Sequence, residues 1–86
     1  MSHPLAPDEI RRTVLRLLGE IAPEADLTAL KPCVSFRDQL DIDSMDFLNF
    51  VIMIHNTFGV EIAEADYPKY GTLNGCVAQL SDKPGR

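Results

Sequence analysis

Ser44 is the residue best placed for covalent chemistry, and its neighbours limit what that chemistry can be. It lies in the run Asp43-Ser44-Met45-Asp46, just ahead of a long apolar stretch. A nucleophilic serine needs a general base within hydrogen-bond reach, and the local sequence offers no histidine. Ser44 is therefore not a catalytic nucleophile in its own right. Read locally, Asp43-Ser44 is a helix cap: Asp43 is a favoured N-cap residue, and Asp46 falls in the first turn, at the positive end of the helix dipole.

The other reactive side chains are sparse. Cys33 and Cys76 form no CxxC pair and have no histidine at ligand spacing, so neither a zinc site nor a disulfide framework is indicated. Both are expected to be small buried or half-buried apolar groups, consistent with a reducing, cytoplasmic compartment. His55 reads as a polar residue on a solvated helix face. Nucleophile–base pairs, convincing paired carboxylates and glycine-rich phosphate loops are missing, so an enzyme is not indicated.

The elements that must position Ser44 follow from spacing. The 86 residues suffice for one small domain, spanning 1–86, with its core over about 7–81 and a flexible tail at 82–86. Pro7-Asp8-Glu9 starts a helix, Ile10, Val14, Leu17, Leu18 and Ile21 give it one apolar face, and Pro23 stops it. Residues 24–41 hold no helical period and contain Pro32. They read as a long loop with at most a short helical turn, pinned by Leu30, Phe36 and Leu40.

A second helix runs from Ser44 to Phe58, with Gly59 as its stop. Phe47, Phe50, Val51, Ile54 and Phe58 form its core stripe, and Met45, Leu48 and Ile52 a second stripe beside it. Glu64 to Tyr67 make one helical turn before Pro68, in a compact aromatic patch that includes Tyr70. Thr72 caps a last helix carrying Leu73, Cys76, Val77 and Leu80, in which Gly75 costs roughly 1 kcal/mol relative to alanine. The sum is an all-α bundle of three main helices plus one short helix, with a long loop after helix 1.

Thirteen acidic residues against eight basic ones give a net charge of −5. Residues 36–66 hold seven acids and one base, Arg37, a local charge of −6. Nucleic acid is an unsuitable ligand for such a surface, and the second helix has no Lys or Arg to read DNA. The start Met1-Ser2-His3-Pro4 lacks the charged and apolar regions of a signal peptide, and the apolar run Phe50 to Ile54 is too short to span a bilayer.

The segment Phe36-Arg37-Asp38-Gln39-Leu40-Asp41-Ile42-Asp43-Ser44-Met45-Asp46, followed by an apolar helix, resembles the attachment motif of acyl carrier proteins. Those proteins usually read Asp-Ser-Leu where this chain has Asp43-Ser44-Met45. The likeness extends through Phe58-Gly59-Val60-Glu61-Ile62 and Thr72-Leu73, covering about Ile10 to Leu80. It implies a 4'-phosphopantetheine arm on Ser44, with Asp43 as the cap beside it. A separate phosphopantetheinyl transferase, using coenzyme A and magnesium, would attach the arm. The resemblance also implies partner-facing roles for Met45, Asp46, Leu48 and Ile52. Acyl-transferring or acyl-elongating enzymes would be the partners, and an acyl chain carried as a thioester the cargo, in fatty acid, lipid or polyketide-type biosynthesis. A monomeric, stand-alone carrier is expected.

One departure from the family is specific. Carriers of bulk fatty acid synthesis usually place several acids along the second helix, whereas this chain has Asn49, His55, Asn56 and Thr57 there. Electrostatic attraction to a basic partner is correspondingly weaker and differently aimed, which points to a specialised carrier. Two alternatives stay open: an aminoacyl or peptidyl carrier, and an unmodified helical interaction domain using Met45, Leu48 and Ile52 as its docking face.

Overall fold

In a computed structural model of the protein, residues 6–81 are described, and the elements follow the caps written into the sequence. Helix α1 spans Pro7–Ile21. Its proline stands in the first turn, where a missing N–H costs nothing, and the Glu9 carboxylate accepts from the Ala6 N–H at 3.4 Å. Ile10, Val14, Leu17 and Leu18 are buried along one face. On the outer face Arg11 pairs with Asp8 and Arg16 with Glu20, exposed pairs worth little in water.

The long connection after α1 is more ordered than its sequence suggests. A 3-10 turn at Leu27–Ala29 is capped by Asp26, whose carboxylate accepts from the Thr28 N–H. Helix α2, Phe36–Gln39, is four residues long and is capped by the Ser35 hydroxyl. Gln39 then ties the connection to itself. Its amide nitrogen donates to the carbonyls of Lys31 and Val34 at 2.8 and 2.9 Å, and its oxygen accepts from the Lys31 N–H at 2.9 Å. Phe36 is completely buried, edge-on to Phe50 at 5.4 Å, while Leu30 and Leu40 are half-buried against the core. The expected pins hold, and Gln39 joins them.

Helix α3 spans Ser44–Phe58, the range expected. Gly59 ends it with φ at 67°, a left-handed conformation that glycine adopts without penalty. Phe50, Val51, Ile54 and Phe58 are buried; Phe47, expected in the core, is only half-buried and leans on Phe50 at 6.2 Å. It lies one turn before Phe50 and so nearer the solvent-facing start of the helix.

A 3-10 helix then covers Glu64–Tyr70 and passes through Pro68, where the sequence placed its end. Proline's fixed φ suits such a helix, and the loss is one donor. The extra residues carry Tyr70 into the interior, where it is completely buried. Of the aromatic patch, Tyr70 is therefore core, while Tyr67 stays half-buried.

Helix α4 spans Leu73–Ser81. Thr72 caps it, its hydroxyl accepting from the Gly75 N–H at 2.9 Å. Ser81 is the last residue of α4. The expected flexible tail at 82–86 lies outside the described residues, as do residues 1–5. Helix α1 packs on both α3 and α4, and α4 on the 3-10 helix, enclosing one apolar cluster built around Phe36, Phe50, Ile54, Tyr70 and Leu73.

Candidate functional site

The start of α3 is a reciprocal capping box. The Asp43 carboxylate accepts from the Asp46 N–H at 2.9 Å, and the Asp46 carboxylate accepts from the Asp43 N–H at 3.3 Å. Ser44 is the first helical residue and is exposed. Its hydroxyl makes no hydrogen bond to any described residue, because Asp43 does the capping. The geometry thus separates two jobs that the sequence left merged: Asp43 satisfies the helix end, and Ser44 points a free hydroxyl outward.

Beside it lies the second apolar stripe. Met45 is 65% exposed and Ile52 45% exposed, the large hydrophobic side chains most open to water among the described residues. Leu48 lies between them on the same face at helical spacing, but it is half-buried. Asp46 is half-buried, with its carboxylate engaged in the capping box. The surface next to Ser44 is therefore apolar along α3. Its negative charge comes from exposed Asp38, Asp41 and Asp43 on the approach to the helix.

A cleft of about 820 Å³ opens where the end of α1 meets the long connection. Ile21, Leu30, Val34 and Leu40 line it, and Asp38 and Asp41 reach it from the Ser44 side. Its size is that of a small-molecule site.

His55, expected to be a plain surface residue, has a structural task. Its Nδ1–H donates to the Val60 carbonyl at 2.6 Å, clamping the chain as it leaves α3 past Gly59. Of the two cysteines, Cys76 is buried as expected and donates its thiol to the Tyr70 carbonyl at 3.3 Å; burial pushes its pKa well above the ordinary thiol value. Cys33 is exposed, contrary to expectation, because it sits at the outer edge of the long connection, where its sulfur accepts from the Asn74 amide at 3.1 Å. Among the described residues no group of three or more His, Cys, Asp or Glu side chains could hold a metal ion, and no helix is long and apolar enough to cross a membrane.

Gln39, His55 and Tyr70 were not singled out for the roles they hold. Gln39 and His55 act through backbone carbonyls in the folded chain, and spacing carries no signal for that. For Tyr70 the available signal was a cluster of two aromatics around a proline, which does not say which ring turns inward.

A small helical unit that presents an unengaged serine at the start of its central helix, with an apolar strip alongside, has the form of a carrier domain. The sequence matches the family described as "Phosphopantetheine attachment site" over residues 8–80. It is 29% identical over 70 residues to an acyl carrier protein of Rubrobacter xylanophilus, covering 78% of this chain and 86% of that one. It is 28% identical over 80 residues to an acyl carrier protein of Acidothermus cellulolyticus, covering 91% and 92%. In fold it is similar to the acyl carrier protein of Enterococcus faecalis, with a TM-score of 0.76 at 20% identity, covering 91% of this chain and 98% of that one.

The chain belongs to the acyl carrier protein family. Members are carriers rather than catalysts, and their prosthetic group is 4'-phosphopantetheine. Membership implies dealings with a phosphopantetheinyl transferase and with acyl-processing enzymes.

Proposed function

We propose that Ser44 carries the phosphopantetheine arm and that the protein shuttles acyl groups, as thioesters, between dedicated cytoplasmic enzymes of fatty acid, lipid or polyketide-type synthesis. The observation that carries this is the free, exposed Ser44 hydroxyl at the first position of α3. The surroundings fit a phosphodiester. The backbone N–H groups of Ser44 and Met45 find no acceptor among the described residues, and the N-terminus of a 15-residue helix favours negative charge. Asp43 holds the helix end so that the hydroxyl is presented in one place. The arm, when attached, supplies a terminal thiol that binds the acyl group.

Met45 and Ile52, with Leu48 between them, form the face on which partners dock; exposed apolar side chains beside a reacting group suit a groove on an enzyme. Asp46 contributes charge at its edge. The protein acts as a monomer and performs no turnover itself. Asn49, Asn56 and Thr57 are exposed on α3 and uncharged, so partner choice rests on apolar fit more than on charge.

Intact mass after incubation with coenzyme A, magnesium and a broad-specificity phosphopantetheinyl transferase tests this. The wild type gains one phosphopantetheine, and Ser44→Ala gains none. If neither gains mass while a known carrier in the same tube is labelled, Ser44 is only part of a cap.

A further inference from the structure

Among the described residues two buried side-chain oxygens lack a hydrogen-bond partner, the hydroxyls of Ser81 at the end of α4 and of Tyr70, and only Tyr70 belongs to the buried core. Tyr70 is 0% exposed, and its hydroxyl oxygen is buried with no hydrogen-bond partner among the described residues. Tyr70 belongs to the same apolar cluster as Phe36, Phe50, Ile54, Leu73 and Cys76, whose thiol is itself committed to the Tyr70 carbonyl. A hydroxyl left unpaired in such surroundings is costly, and phenylalanine would fill the same volume without that cost. Burial pushes the Tyr70 pKa up, with Cys76 and Asp66 adding to the effect, so the group stays protonated and available as a donor.

Its position relates it to Ser44. The Gly71 carbonyl, next to Tyr70, accepts from the Phe36 N–H at 2.7 Å, and Phe36 packs edge-on against Phe50. Phe50 is six residues along α3 from Ser44, about 9 Å of helix axis. Tyr70 therefore belongs to the part of the core that lies behind the first half of α3. Given the carrier role assigned to Ser44, an acyl chain turned back from the arm into the bundle would meet that region.

We propose that Tyr70 is a specificity-determining residue: its buried hydroxyl hydrogen-bonds an oxygen borne by the acyl cargo, so the protein shelters oxo- or hydroxyacyl chains in preference to plain saturated ones. The inference rests on the carrier role given to Ser44. Tyr70 donates to an oxo group and can accept from a hydroxyl. A saturated chain entering the core leaves the hydroxyl as unpaired as before, so discrimination arises from a donor built in advance.

The test loads the full chain from acyl-coenzyme A thioesters with the same transferase. Ser44 displaces adenosine 3',5'-bisphosphate and so acquires the acylated arm. The cargoes are hexanoyl, β-oxohexanoyl, β-hydroxyhexanoyl and δ-oxohexanoyl, on wild type and Tyr70→Phe. Intact mass confirms loading first; failure to load at all refutes the Ser44 reading rather than this one. Melting temperatures are then compared. With hexanoyl, the gain over the unmodified protein is the same in both proteins. With at least one oxygenated cargo, the wild type gains roughly 4 °C or more beyond hexanoyl, and Tyr70→Phe loses that increment. Unmodified Tyr70→Phe melts at or above the wild type. Three results overturn the proposal. One is an increment that is missing from all oxygenated cargoes or that survives in Tyr70→Phe. Another is a hexanoyl gain that itself falls in Tyr70→Phe, which would assign the hydroxyl to the arm. The third is an unmodified Tyr70→Phe that melts lower, which would show the hydroxyl already satisfied.

Discussion

Replacing Gly75 by alanine sets two physical effects against each other. Helix propensity alone favours alanine in α4 by about 1 kcal/mol. Packing opposes it: a Cβ at this position would run into the carbonyl oxygen of Lys69 and crowd the Thr72 hydroxyl. Neither neighbour is a flexible tip. The Lys69 carbonyl belongs to the 3-10 helix, and the next residue, Tyr70, is locked in the core. The Thr72 hydroxyl caps α4 through the Gly75 N–H. Relief requires α4 to move off the 3-10 helix, loosening buried Leu73 and Cys76. Overpacking of this kind costs about 1–3 kcal/mol, and loss of the cap adds about 1 kcal/mol. After the propensity gain, Gly75→Ala is less stable than wild type by about 1–3 kcal/mol. Each kcal/mol lowers the melting temperature of a domain this size by about 4–8 °C. Thermal unfolding of the unmodified protein followed by far-ultraviolet circular dichroism decides the matter. A melting temperature equal to or above wild type refutes the close approach of α4 to Lys69.

Other outcomes follow from the same geometry. Gln39→Ala removes three hydrogen bonds from the long connection, lowering stability by about 1–2 kcal/mol and speeding amide exchange at Val34 and Asp38, with α1 protection fading only to the extent of the global loss. His55→Ala frees the Val60 carbonyl and costs about 1 kcal/mol, read from urea unfolding; an unchanged midpoint would refute the clamp. A thiol reagent at neutral pH labels Cys33 in the native protein and reaches Cys76 only after denaturation, since burial raises the Cys76 pKa and keeps it protonated. Met45→Glu leaves the melting temperature within about 2 °C of wild type, yet lowers kcat/KM for the transferase by about tenfold; equal kcat/KM values would remove Met45 from the docking face.

The main helices were legible because their ends are written in local chemistry: Pro7 opens α1, Asp43 and Gly59 bracket α3, and Thr72 caps α4. The long connection was not, because a four-residue helix has no period to detect and because Gln39 acts on carbonyls five and eight residues away. Pro68 reads as an end, since proline closes an α-helix, but a 3-10 helix runs through it and turns Tyr70 inward. Gly75 looked like a pure loss of propensity; only the neighbouring Lys69 carbonyl explains it. At the candidate site, Ser44 and Asp43 stood out from the motif. The partial burial of Leu48 and the engagement of the Asp46 carboxylate did not, being properties of the folded chain.

The bonds that hold the long connection have a kinetic consequence. Its backbone is tied to the far end of the chain by Phe36 N–H to the Gly71 carbonyl and Asn74 N–H to the Pro32 carbonyl, and Cys33 meets Asn74 across 41 residues of sequence. Such bonds can form only after α4 has come to rest, because closing so wide a loop costs entropy before any contact repays it. The connection thus sets last during folding and opens first during unfolding. A substitution that removes only one of these long-range bonds, such as Asn74→Ala at the Cys33 contact, accordingly speeds unfolding more than it slows folding. The order of the segment that leads into Ser44 thus depends on α4 being in place, and a partner that grips the segment also steadies those bonds.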